Sequence, residues 1–166
     1  MEGKVFKLQI ARSAGAPMTS IAEAHLVPGK GIVGDRFFGI HKSSTTPTDG
    51  SYEVTLIVEE DVAAFNATYP AAQTEEYGRR NIVVSDCDLP ELANQTFRIG
   101  DVLLRGIALP EVDCHSPQDS QRTICTDLRS SMLGAQILTE GTIYVGDTVQ
   151  IIIEETTKSE HNEVGR

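Results

Sequence analysis

The sequence predicts a mainly β protein: a closed, mostly antiparallel barrel with one or two short helices. Three observations lead there. Short apolar or alternating runs recur along the 166 residues, glycine-bearing turns separate them at close spacing, and one segment alone has a clear helical period. Helices do not alternate with the strands as a βαβ sheet requires, and closing the sheet is the way such a set of short strands removes its edges.

The elements follow in order. Val5 to Ile10 reads VFKLQI, with apolar Val5, Phe6, Leu8 and Ile10 interrupted by Lys7 and Gln9, the pattern of a half-buried strand. Gly15 to Ser20 is a loop of small residues. Ala22 to Val27 is a short strand ending at the Pro28-Gly29 turn signal. GKGIVGDRFFG then carries Gly29, Gly31, Gly34 and Gly39, a density that suggests close backbone packing or approach of a ligand. HKSSTTPTDGSY is polar and rich in breakers, a loop. VTLIV, from Val54 to Val58, is a fully buried strand.

Glu59 to Tyr69 is the best helix in the chain. Val62, Phe65 and Tyr69 share one face, acids occupy the first turn where the helix dipole favours them, and Pro70 stops it. RRNIVVSD contains a β-branched strand. FRIGDVLLRG is a hairpin pattern with a Gly-Asp turn between apolar arms, and TIYVGDTVQIII repeats that pattern. Between them lies LPEVDCHSPQDSQRTICTDLRSSMLG, the expected functional loop, with a short helix over Thr126 to Leu133. The expected organisation is one barrel domain over 1–154 and a disordered polar tail over 155–166.

Composition excludes several classes. Asp and Glu number 24 against 14 Lys and Arg, for a formal charge of −10. With scattered basic residues, 5% aromatics and no Trp, the chain does not match a nucleic-acid binder or an anionic membrane surface. No run approaches the roughly twenty apolar residues that cross a bilayer. The start lacks a signal-peptide core, so a cytoplasmic protein is expected. Walker-type GxxxxGK[ST] and GxSxG motifs are absent from the sequence, which removes local support for P-loop nucleotide and serine-hydrolase readings. Its four histidines lack the spacing of a protein-only zinc site.

The chemistry-bearing candidates are one cysteine and several arginines. Three cysteines without a CxxC pair leave at least one thiol free. Cys114 lies in the polar loop, where His115 favours its thiolate and Asp113 opposes it. Cys87 and Cys125 read as structural. Arg36, Arg79, Arg80, Arg122 and Arg129 are the groups able to grip an anion, since a guanidinium fork donates two parallel hydrogen bonds to phosphate. Arg36 gains weight from its glycine-rich setting, and Arg79-Arg80 from preceding Asn81 and a strand. Asp35, Asp101 and Asp147 each follow glycine and read as turn-locking groups that accept backbone N–H bonds.

The ordered series GIVGDRFFG, VTLIVEE, RRNIVV, FRIGDVLL, a loop cysteine at Cys114 and GAQILTEGTIYVGDTVQI resembles the MOSC family, over roughly Val5 to Ile153. The family is named for the C-terminal domain of molybdenum-cofactor sulfurases. The resemblance implies a MOSC-type barrel and a cysteine associated with cofactor or sulfur transfer, a role that falls on Cys114. It implies the molybdenum cofactor (molybdopterin), with molybdenum near the Cys114 thiolate, and with backbone amides and arginines holding the phosphate and pterin. Arg36, Arg79, Arg80, Arg122 and His115 are the cofactor-binding candidates in that picture.

Three functions stay open on the sequence. The first is a molybdenum-cofactor-binding or sulfur-carrier accessory protein, working with a cysteine desulfurase or a molybdoenzyme. The second is a small molybdoenzyme that reduces N-hydroxylated compounds with electrons from a separate reductase. The third is a cofactor-free interaction module. The chain carries no flavin, iron–sulfur or pyridoxal-phosphate module of its own, so carrier duty follows more easily than redox turnover.

Overall fold

The computed structural model describes residues 2–13, 15–39, 52–68, 80–108 and 132–152. The strands are β1 (Glu2–Ile10), β2 (Thr19–Ile21), β3 (Glu23–Val27), β4 (Gly31–Ile32), β5 (Val54–Val58), β6 (Ile82–Ser85), β7 (Thr96–Ile99), β8 (Val102–Ile107), β9 (Met132–Ile137), β10 (Gly141–Tyr144) and β11 (Thr148–Ile151). Helix α1 covers Glu59–Thr68 and helix α2 covers Leu89–Leu92. The predicted class holds: the fold is mainly β, with a barrel of seven strands in the order β11-β7-β8-β9-β5-β6-β1, closed by β1 pairing back onto β11. All neighbours in that ring run antiparallel except β5 and β6. A smaller sheet, β10-β3-β4, lies beside it.

Alternation within each strand builds the core. Leu56, Val58, Ile82, Val84, Phe97, Ile99, Val102, Leu104, Leu133, Ala135 and Val149 are all buried and join one cluster. Each large side chain sealed this way contributes about 1.5–3 kcal/mol relative to exposure. Leu89 and Leu92 of α2 belong to the same cluster. This helix approaches β8 so closely that a Cβ on Gly106 would run into the Leu92 carbonyl. The backbone around it is stitched by Asn94 N–H to the Gly106 carbonyl and Gly106 N–H to the Gln95 carbonyl, each 2.9 Å.

Strand β1 departs from simple alternation. Val5 and Leu8 are both buried although an odd number of steps separates them, and a regular strand would send them to opposite faces. A bulge between Val5 and Lys7 in the pairing with β6 resets the phase and turns Phe6 outward, 52% exposed. One edge of β1 lies along β6, while the other pairs with β11 at Glu2 to Lys4 and with β2 at Leu8 to Ile10.

The two Gly-Asp turns do different work. Gly100, at φ +57°, joins β7 to β8 in a two-residue hairpin with Ile99 opposite Val102, as read from the sequence. The second is not a hairpin: β10 pairs with β3, and β11 with β7 and β1. Its three-residue link is pulled between sheets, with Val145 N–H bonded to the Ala22 carbonyl and Gly146 N–H to the Val5 carbonyl. Asp147 still locks the corner, its Oδ2 accepting the Tyr144 N–H at 2.8 Å. The turns also meet, since a Cβ on Gly100 would lie 2.5 Å from Asp147 Oδ2.

Helix α1 matches the expected span, with Val62 half-buried; the Phe65 and Tyr69 side chains of the expected face lie outside the described residues. The helix expected over Thr126 to Leu133 is replaced at its end by β9, because Met132 and Leu133 enter the ladder opposite Ile57 and Leu56. Thr126 to Ser131 and the tail 155–166 lie outside the described residues. No described helix is long and apolar enough to cross a membrane.

Candidate functional site

The parallel pair β5–β6 sets the position of a cavity of about 480 Å³. Thr55 enters from β5, Tyr52 and Glu53 from the residues just before it, and Arg80 and Asn81 from the residues just before β6. The glycine-rich turn after β4 supplies Asp35, Arg36 and Phe37, and Met18 comes from the segment before β2.

Strand β1 holds the glycine-rich turn in place. Ala11, just past β1, donates its N–H to Asp35 Oδ1 at 3.0 Å and accepts the Arg36 N–H at 2.7 Å. Asp35 Oδ2 accepts the Phe37 N–H at 3.3 Å. The expected turn-locking role of Asp35 is therefore what the structure shows. Glu53 behaves alike: its Oε1 accepts N–H bonds from Gly29 at 3.1 Å and Ile137 at 3.2 Å, tying the β3–β4 turn and the end of β9 to the start of β5.

The carboxylates are thus committed to backbone N–H groups, whereas the guanidiniums are not committed to carboxylates. Among the described residues neither Arg36 nor Arg80 forms an ion pair. Arg36 lies over the Phe37 ring, 4.6 Å from its centroid, a cation–π contact. Arg80 is more deeply set, and its Nε is buried with no hydrogen-bond partner among the described residues. Burial pulls the Arg80 pKa down, and the nearby Tyr52 opposes that shift. A guanidinium stays charged throughout the physiological range, so an unmatched donor on it beside a cavity is suited to an anionic acceptor.

The structure brings together two of the arginines nominated from sequence, Arg36 and Arg80. Cys114, His115, Arg79 and Arg122 lie outside the described residues, as do Cys125 and Arg129. Cys87 is free and buried, with burial and then the acids Asp88, Glu60 and Glu91 pushing its pKa up to about 11. His25 bonds Thr142 and Glu140 within the small sheet. No group of three or more potential metal ligands occurs among the described residues. The sequence reading missed Tyr52, Glu53 and Thr55 as cavity walls; a polar Thr inside an otherwise apolar strand was the available signal.

No family model and no curated protein matches the chain. Solved structures do. The YuaD protein from Bacillus subtilis superposes with a TM-score of 0.68 at 16% identity, covering 91% of this chain and 96% of that one. YiiM from Geobacillus stearothermophilus gives 0.62 at 12% identity, over 91% and 75% of the two chains. YiiM from Escherichia coli gives 0.60 at 11% identity, over 92% and 70%. The barrel these chains share is the MOSC-type β-barrel, so the resemblance drawn from the motif series holds at the level of the fold.

Proposed function

We propose that this chain is a cytoplasmic accessory protein that binds the molybdenum cofactor, or carries sulfur destined for it, with Cys114 as the contact thiol. The observation that carries the reading is the Arg80 guanidinium, its Nε buried without a partner, at a cavity on a MOSC-type barrel. The cavity suits the chemistry of that group. Arg80, with Arg36 beside it, would hold the phosphate by charge-assisted hydrogen bonds. Phe37 and Tyr52 line the same cavity and give it aromatic surface suited to a flat pterin. Bound cofactor would supply a redox-active, sulfur-ligated molybdenum, a soft centre that a thiolate suits.

Chain reach supports the part given to Cys114. Ile107, where β8 ends, is in register with Gly134, which is in register with Thr55, and Thr55 Oγ1 accepts the Asn81 N–H at 3.3 Å. Three strand spacings along that row make about 14 Å, and seven extended residues from Ile107 to Cys114 span up to about 24 Å. The chain from Ile107 is therefore long enough to bring Cys114 to the cavity. Arg79, next to Arg80 in the chain, and Arg122 and His115, in the Cys114 segment, are the further cofactor contacts in this proposal. A cysteine desulfurase or a molybdoenzyme is the corresponding partner.

The test is retention. Full-length protein expressed in a cofactor-replete host should carry molybdenum, a pterin that fluoresces after oxidation, or a persulfide on Cys114. Arg80→Gln should lose the pterin, and Cys114→Ser should lose the molybdenum or the persulfide. Wild-type protein with none of the three overturns the proposal and leaves a cofactor-free interaction module. Product formation from N-hydroxylated compounds, dependent on Cys114 and an added reductase, would move the conclusion from carrier to molybdoenzyme.

A further inference from the structure

The Arg80–Asn81 peptide is held at both of its polar groups by side chains. The Arg80 carbonyl accepts the Gln9 side-chain N–H (Nε2) at 2.8 Å, and the Asn81 N–H donates to Thr55 Oγ1 at 3.3 Å. The β6 ladder begins one residue later, with Ile82 opposite Leu56 on one side and Leu8 on the other. The ladder therefore leaves this peptide to other partners. Gln9 also donates its own N–H to the Asn81 carbonyl at 2.9 Å, and the Asn81 side-chain amide returns a bond to the Gln9 carbonyl at 3.4 Å. Thr55 Oγ1 donates to Asn81 Oδ1 at 3.4 Å, closing the network across β1, β6 and β5.

Gln9 is only 5% exposed. A buried primary amide is costly unless it is hydrogen-bonded, and Met or Leu would fill similar space on β1 without that cost. Gln9 does not line the cavity; Arg80, which it holds, does. We infer that Gln9 is a positioning residue for Arg80: together with Thr55 it clamps the Arg80–Asn81 peptide and so aims the guanidinium into the cavity. The inference rests on the reading that the cavity takes an anion. The ligand class is a phosphate monoester of a flat heterocycle, with Arg80 as the phosphate contact and Gln9 acting behind it. Small errors of direction at the peptide are amplified along the arginine side chain, and a charge-assisted bidentate contact tolerates little misplacement.

Neopterin and neopterin monophosphate, the same bicycle without and with a phosphate, serve as probes of the full chain, with affinity read from pterin fluorescence. Wild-type protein should prefer the phosphorylated probe, and Arg80→Gln should abolish the preference. Gln9→Met should lower the preference by about tenfold or more while leaving neopterin binding and the circular dichroism unchanged. A merely structural role would move both probes together. Gln9→Met with the wild-type preference intact overturns the inference and leaves the anion reading standing. A wild-type protein that does not distinguish the probes overturns the anion reading itself, and the inference with it. If Gln9→Met does not fold, Thr55→Val, which frees the other end of the same peptide, decides: the preference should fall likewise, and its survival refutes the clamp.

Discussion

At the scale of single residues, the same thing is seen at Arg80, Gln9 and Cys87: burial gives a polar or ionisable group a definite assignment. Cys87 is sealed near Gly3, and its raised pKa keeps the thiol neutral at physiological pH. It should escape iodoacetamide at pH 8 in the native protein and be labelled only on unfolding, as peptide mapping will show. The linkage has a sign. An unfolded thiol ionises near pH 8.5, whereas Cys87 in the fold holds its proton to about 11. Stability should be unaffected below pH 8 and then fall as pH rises toward 11, at a slope of at most about 1.4 kcal/mol per pH unit. Cys87→Ala should flatten that slope in urea titrations at pH 8, 9 and 10. Gly106→Ala is the steric counterpart: with the Leu92 carbonyl in the way, it should cost about 2–3 kcal/mol, visible as a lowered denaturation midpoint. Among the residues of the cavity, the sequence named Arg36 and Arg80 because guanidinium chemistry is readable from residue type. Gln9 was read only as the polar beat of a strand, since nothing local distinguishes a structural amide from one that holds a distant peptide.

At the scale of elements, β1 shows how much a pattern conveys and where it stops. Its alternation announced a strand, yet the pairing of Val5 with Leu8 on one face required a bulge that only the β6 partner makes visible. Phe6 and Leu8 should therefore respond oppositely to truncation. Leu8→Ala, at a fully buried site, should lose about 2–5 kcal/mol, and Phe6→Ser should stay within about 0.5 kcal/mol in chemical denaturation. Equal losses would mean that the bulge is absent in solution. The Gly-Asp turns teach the same limit. Both dipeptides announced turns, but what they join depends on who captures the flanking N–H groups, and in the second case Ala22 and Val5 do so from far away in the chain. Strand β9 takes the last two residues of an expected helix for a related reason, since Met132 and Leu133 found ladder partners in β5 that local propensity cannot weigh.

At the scale of the whole molecule, the barrel was legible because most of its strands carried their own apolar signature and the turns between them were marked. The cavity was not legible, because its walls come from four separate stretches that only the folded chain brings together. Closure itself rests on β11, which joins β7 to β1. Ending the chain after Asp147 removes that strand and bares two edges. The shortened protein should lose its cooperative thermal transition and self-associate in size-exclusion chromatography, while a monomer that still melts sharply would show the ring to be dispensable. The number of strands in the ring has a consequence of its own. Around a closed circuit, up and down can alternate without exception only when the count is even. Seven strands leave one unavoidable clash of parity, and the chain spends it at β5 and β6, where two neighbours begin on the same rim with no partner reversing between them. Residues at the starts of these two strands line the cavity, so an eighth strand inserted between them would restore perfect alternation and part the walls that now face one another.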